Sequence, residues 1–145
     1  MRLAAADRAV LIRSILTLAA ARVAIWILPF RTVRRLLSPR PHGIESDVIT
    51  RDRVKWAIGH AQRIIPDATC LPQAVAAEAI LIRGGHPVTL RIGVMKTPGG
   101  KLAAHAWAES AGRVIVGELP WGLGDYTKLP PLPSAWPDSR NEGRP

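Results

Sequence analysis

Cysteine is almost missing from this sequence: Cys70 is the single one in 145 residues. An internal disulfide is therefore excluded, and because a lone thiol persists most easily in a reducing compartment, a cytoplasmic setting is expected. Carboxylates are scarce as well, 11 Asp and Glu against 20 Lys and Arg, for a formal net charge of +9, with much of the basic excess in the first 55 residues. Such a balance suits an anionic partner. No nucleic-acid-binding module and no basic-aromatic RNA pattern is present, so nucleic acid is not the partner expected. One cysteine and four histidines without ligand spacing such as His-x3-His give no reason to expect a metal, and nothing points to a cofactor. Long uncharged runs are lacking too. The most apolar region, Val10 to Phe30, is interrupted by Arg13 and Arg22, short of the ~18–20 uncharged residues of a membrane span. At about 100° per residue those two arginines fall on opposite sides of a helix, which fits neither a span nor a simple signal sequence. The segment reads as a helix docked on protein, with an apolar excess that leaves room for weak contact with a membrane or a partner. No internal repeat occurs.

What is present suffices for one folded domain: 48% of residues are hydrophobic and 21% charged. The front half is helical by period. One long helix is predicted from Ala5 to Leu28, ended near Pro29, then a short basic helix from Arg31 to Leu37 and a break at Pro39-Arg-Pro41-His-Gly43. Ser46 or Asp47 can cap the next helix, which carries Val48, Ile49, Val54, Ile58, Ala61 and Ile65 and stops before Pro66. Thr69 can cap a further helix that starts with Cys70, tolerates Pro72 in its first turn and ends at Gly84-Gly85. The period then changes to two. Val88, Leu90, Ile92 and Val94 alternate with more polar or smaller residues, a Pro98-Gly99-Gly100 turn follows, and strands at Leu102–Glu109 and Arg113–Glu118 flank a turn at Ala111-Gly112. The fold expected is α+β, with N-terminal helices and a nucleophile-bearing helix packed on a small antiparallel sheet. Residues 1–45 form a helical segment that covers the core or docks a partner, 46–125 the core, and 126–145 a proline-rich tail that wraps the surface or stays loose.

A cysteine in the first turn of a helix lies near the positive end of the dipole and unpaired backbone donors, which favour thiolate over thiol. Such a nucleophile needs a base. His42 lies in the Pro-Gly break, His60 on a helix and His86 after two glycines; His105 alone falls within a strand, sharing a face with Trp107, which can shield a site from water. Counting outward from a two-residue turn at Ala111-Gly112 sets His105 opposite Glu118. Opposed Cβ atoms lie about 4.5–5.5 Å apart, so Glu118 can fix the imidazole tautomer and complete a Cys-His-acid triad. A bulge or one-residue slip would bring in Gly117, which has no side chain. The Cys70 backbone N–H is a natural oxyanion donor, and Gln73 and Gln62 are candidates for a second.

Four words, Cys70-Leu-Pro-Gln-Ala-Val-Ala-Ala, Gly85-His-Pro-Val-Thr-Leu-Arg-Ile-Gly93-Val, Ala104-His-Ala-Trp-Ala-Glu109 and Gly112-Arg-Val-Ile, stand in an order and spacing that resemble the lasso-peptide leader peptidases. These are a branch of the transglutaminase-like, papain-related cysteine peptidases. The resemblance is close from Trp56 to Glu118 and extends loosely to the Leu/Arg-rich start ending in Leu28-Pro-Phe-Arg31. It implies a discrete subunit that cleaves the leader from a ribosomally made precursor peptide, beside a small leader-recognition protein, and hands the core peptide to an ATP-using lasso cyclase. By that resemblance the nucleophile maps to Cys70 and the base to His105. The family's acid is usually Asp on the following strand, where this chain offers Glu118, with Asp125 as the fallback if the strand ends early. The same residues also suit an acyltransferase, in which an amine takes the acyl group, or a peptide-binding scaffold with an inert cysteine.

Overall fold

The computed structural model describes residues 3–38 and 45–132; the Pro39–Gly43 break and most of the proline-rich tail lie outside the described residues. Helices α1 (Ala5–Ile27), α2 (Phe30–Leu37), α3 (Arg51–Ile64) and α4 (Cys70–Arg83) precede strands β1 (Thr89–Lys96), β2 (Leu102–Ser110), β3 (Arg113–Val116) and β4 (Thr127–Lys128). The strands form one antiparallel sheet in the order β3-β2-β1-β4. The fold is α+β, as the change of period from 3.6 to 2 implies.

Burial explains the arrangement. Helix α4 has no exposed side until its last residue: Ala74 through Ile82 are all buried, between α1 and α3 on one side and the sheet on the other. Its alanines let these neighbours approach closely, and Leu90, Ala106, Ala108, Ile115 and Val116 of the sheet share one core with Ile80, Leu81, Val54, Ile58, Val10 and Leu18. Each large aliphatic group so buried contributes about 1.5–3 kcal/mol. The helix ends in a glycine stop in which His86 N donates to Leu81 O and Gly85 N to Ile82 O, with Gly85 at positive φ. A Cβ at Gly84 would meet Ile49 at 2.7 Å, so glycine also lets the chain before α3 pack there.

Three local expectations change. The cap of α3 is Thr50, whose side chain accepts from Arg53 N at 3.2 Å. Ser46 instead accepts from Val48 N and Ile49 N in a turn before the helix, because its short hydroxyl reaches a local donor first. Thr69 stands at the N-cap position of α4 but makes no side-chain cap bond; Gln73 Nε2 reaches back to Ala68 O at 2.6 Å and ties down the preceding turn. Within the segment assigned to the tail, Thr127 and Lys128 add β4 to β1, and Leu129 N donates to Ile92 O at 2.9 Å. Tyr126–Leu129 is a proline-free window just before Pro130, so its backbone donors are free to pair.

The length and composition of α1 are those of a helix able to cross a membrane, although Arg13 and Arg22 lie within it. Here it packs across α3 and α4 through Val10, Ser14, Leu18 and Ala21. Helix α2 follows after Pro29 and inserts Arg34 beside α4. The guanidinium meets the buried Glu78 in a two-pronged pair, Nε to Oε2 at 2.9 Å and Nη2 to Oε1, with both side chains under a tenth exposed. The N-terminal helices are thus part of the core.

Candidate active site

A cleft of about 460 Å³ opens where α3, the start of α4 and the ends of β2 and β3 meet. Cys70, the first residue of α4, lines it and is half-buried. His105 lines it from β2, and Lys55, Gly59 and Gln62 line it from successive turns of α3. Cys70, His105, Glu118, Gln73 and Gln62 are all brought to this one cavity; Asp125 is exposed and does not line it.

The geometry around His105 follows from a register shift. The two-residue turn forms as expected, with Ala111 and Gly112 at positive φ and Ser110 opposite Arg113, and Glu109 then faces Val114. A bulge intervenes: Ala108 faces Val116, so β3 carries one extra residue. The strand stops there because Gly117 takes φ +89° and turns the chain across Trp107. Glu118 consequently lands elsewhere. Its carboxylate forms an exposed ion pair with Lys55 Nζ at 3.0 Å, across the cleft wall. The pairing expected between His105 and Glu118 is replaced by His105 Nε2 and the Gly117 carbonyl oxygen at 2.6 Å. A carbonyl can only accept, so Nε2 carries the proton and Nδ1 is left as the basic nitrogen.

Two glycines make this possible. At Gly117 a Cβ would lie 2.6 Å from Trp107 Cβ and 2.7 Å from Ala106 O, contacts that no side chain tolerates against backbone. At Gly93, which pairs with His105 across β1 and β2, a Cβ would meet both Trp107 and Tyr126 at 2.9 Å. Without a side chain at Gly93 both rings can approach the imidazole, Trp107 stacked at 6.1 Å between ring centroids and Tyr126 tilted at 5.7 Å. Gly117→Ala is expected to destabilise the fold by about 1–3 kcal/mol through backbone strain and steric contact; a thermal melt beside the parent protein measures it.

Behind the imidazole, Trp107 is fully buried and its Nε1 donates to Glu109 Oε1 at 2.8 Å. Arg91 and Lys128 flank the same carboxylate at 3.4 and 3.6 Å, and Lys128 Nζ lies 5.9 Å from the Trp107 ring centroid. Burial pushes the Glu109 carboxyl up, but the Trp107 hydrogen bond and the charges of Lys128 and Arg91 outweigh it and hold it below the ordinary carboxylate range. A depressed folded-state pKa contributes stability that is fully present above the ordinary value and drains as pH falls through the lower folded one. The gap in melting temperature between the parent and Glu109→Gln is therefore expected to be widest at about pH 7 and to narrow at about pH 3.

The Cys70 backbone N–H stands at the first helical position, where no intrahelical acceptor exists. Gln73 already spends one amide N–H on Ala68, whereas Gln62 is exposed on the opposite wall. Among the described residues no group of three or more His, Cys, Asp and Glu side chains is placed to hold a metal ion. What the arrangement offers is acyl chemistry: a sulfur nucleophile at a helix start and an oriented imidazole in one cavity.

A family model described as the transglutaminase-like superfamily matches residues 15–130, from the middle of α1 to just beyond β4. The chain belongs to the transglutaminase-like superfamily. No curated protein and no solved structure matches it. Members of this superfamily are typically cysteine-dependent enzymes, peptidases or acyltransferases, and the match includes both Cys70 and His105. In this member, backbone geometry rather than a carboxylate holds the imidazole; the sequence shows only a glycine there, and the bulge, being on β3, shifts the register away from residue 117, so Gly117 reaches the histidine through the turn at its positive φ and not through the expected slip.

Proposed function

We propose that this transglutaminase-like protein is a cysteine peptidase that cleaves the leader from a ribosomally made lasso-peptide precursor. The observation that carries the reading is the cleft shared by Cys70, at the start of α4, and His105, whose Nε2 is held by the Gly117 carbonyl. The four sequence words around Cys70, Gly85, His105 and Gly112 support the choice of substrate.

In the reaction, His105 Nδ1 takes the Cys70 proton and the sulfur attacks the scissile carbonyl, whose oxygen turns toward the Cys70 N–H. The imidazolium gives its proton to the departing amine. The leader remains as a thioester until a water molecule, deprotonated by the same nitrogen, releases it as a free acid. Throughout, the Gly117 carbonyl keeps the ring from turning and stabilises its positive charge, the work a carboxylate does in a triad. On the α3 wall, Gly59 leaves open space where any side chain would project, so an extended peptide can lie between that helix and the end of β3.

The test is mass spectrometry of a candidate precursor incubated with the protein, with and without its leader-recognition partner. Free leader acid and core peptide support the proposal. A leader joined to an added amine in place of free acid would favour acyl transfer, and an intact precursor beside a thiol inert to alkylation would favour a scaffold.

A further inference from the structure

Helix α1 is apolar on both sides, yet among the described residues only one side is covered. Its buried residues, Val10, Ser14, Leu18 and Ala21, form one narrow stripe. At about 100° per residue, the exposed residues Ala5, Ala9, Ile12, Leu16, Ala20, Val23, Trp26 and Ile27 fall on the opposite side, in a single arc. Leu16 is 65% exposed and Trp26 83%, and the arc continues into exposed Leu28 and Leu36 of the following turn and α2. A helix apolar all round is stable when something apolar covers it on every side, and contiguous exposed apolar surface of this kind marks a binding face.

Charge says what covers it. Arg8 and Arg13 border the arc on its two edges, and Arg31 and Arg35 are exposed on α2 beside Leu36. None of the four forms an ion pair among the described residues. Asp7, the acidic residue of α1, faces inward and is paired with Arg53 at 2.8 Å. Among the described residues the face therefore combines a greasy centre, a tryptophan at one end and arginines without an ion pair at the margins, with no carboxylate. Apart from the Trp26 indole, the Thr32 hydroxyl and the arginines, the described residues of this face offer no hydrogen-bonding side chain that would fix the register of a protein partner.

We propose that the α1–α2 face seats the protein on an anionic lipid bilayer, lying along the surface rather than crossing it. Crossing would strip α1 from α3 and α4 and break the ion pairs Asp7–Arg53 and Arg22–Asp67. Lying flat keeps both. The apolar arc enters the headgroup boundary while the long arginine side chains reach lipid phosphates, the geometry of an interfacial helix.

Flotation of the full chain with lipid vesicles tests this. Binding is expected to vesicles of phosphatidylcholine with about one third phosphatidylglycerol, to fall with added salt, and to be at least about tenfold weaker to pure phosphatidylcholine. Leu16→Glu with Ile27→Glu should weaken binding to the anionic vesicles by at least about tenfold; Arg13→Gln, Arg31→Gln and Arg35→Gln together should abolish the preference between vesicles. In the parent a blue shift of tryptophan emission accompanies binding, and Trp26→Phe removes most of it. No binding to either vesicle, equal binding to both, or an undiminished emission shift in Trp26→Phe overturns the proposal. So does a concentration-dependent dimer that ignores vesicles and is dissolved by the double glutamate variant, which would give the face to a second copy of the chain.

Discussion

If the protein cleaves a precursor as proposed, Cys70→Ala and His105→Ala are each expected to lower cleavage by about 10⁴-fold or more, and Glu118→Gln by less than about tenfold. The ordering follows from position. In the proposed reaction sulfur and imidazole are the groups that make and break bonds, and neither has a substitute among the residues lining the cleft, whereas Glu118 is exposed and paired with Lys55 rather than with the histidine. Single-turnover assays with a precursor peptide, read by chromatography, measure all three, and circular dichroism establishes that each variant keeps its fold. Cleavage that survives in the Cys70 variant would end the peptidase reading. A Glu118→Gln loss as deep as that of His105→Ala would show that the carboxylate swings to the imidazole when substrate binds and that the Gly117 carbonyl only stands in for it.

Glu78→Ala is expected to destabilise the protein by about 3–5 kcal/mol, because it leaves the Arg34 guanidinium buried against α4 without its carboxylate. That is a large part of the about 5–15 kcal/mol that holds a domain of this size together, and at about 2–4 °C per kcal/mol the melting temperature should drop by roughly 6–20 °C. Replacing both partners together, Arg34→Leu with Glu78→Leu, should restore much of the loss, since two apolar side chains leave no buried charge. Urea melts of the single and double variants measure the coupling. Equal destabilisation in both would mean that packing rather than charge pairing holds α2 to α4.

The sequence made the elements legible where side-chain period carries them. Apolar spacing located α1, α2 and α4 closely, and alternation located β1 and β2. Both fail at the same kind of place. The start of α3 was set four residues early, because Ser46 looks like a cap while bonding Ile49 in a turn, and the true cap Thr50 looks no different. The end of β3 was set two residues late, because a bulge leaves no mark on composition and Gly117 does not announce its positive φ. β4 was missed since two residues have no period. That Cys70 and His105 line one cleft follows from position along the chain, the start of a helix and the middle of a strand. The partner of His105 was not legible, because it is a backbone carbonyl that every residue possesses. The Arg34–Glu78 pair was equally hidden: 44 residues separate its members, and nothing local distinguishes Glu78 from a solvated helix charge.

From Ala74 to Ile82, α4 touches protein on every side. Whatever displaces the body of this helix must therefore drag the interior with it. If Cys70 acts as proposed, its backbone is anchored to that packed helix, and the approach of an incoming carbonyl is constrained before any substrate arrives. On that reading less freedom is left to freeze out at the moment of attack, and the adjustable half of the encounter is the flexible peptide.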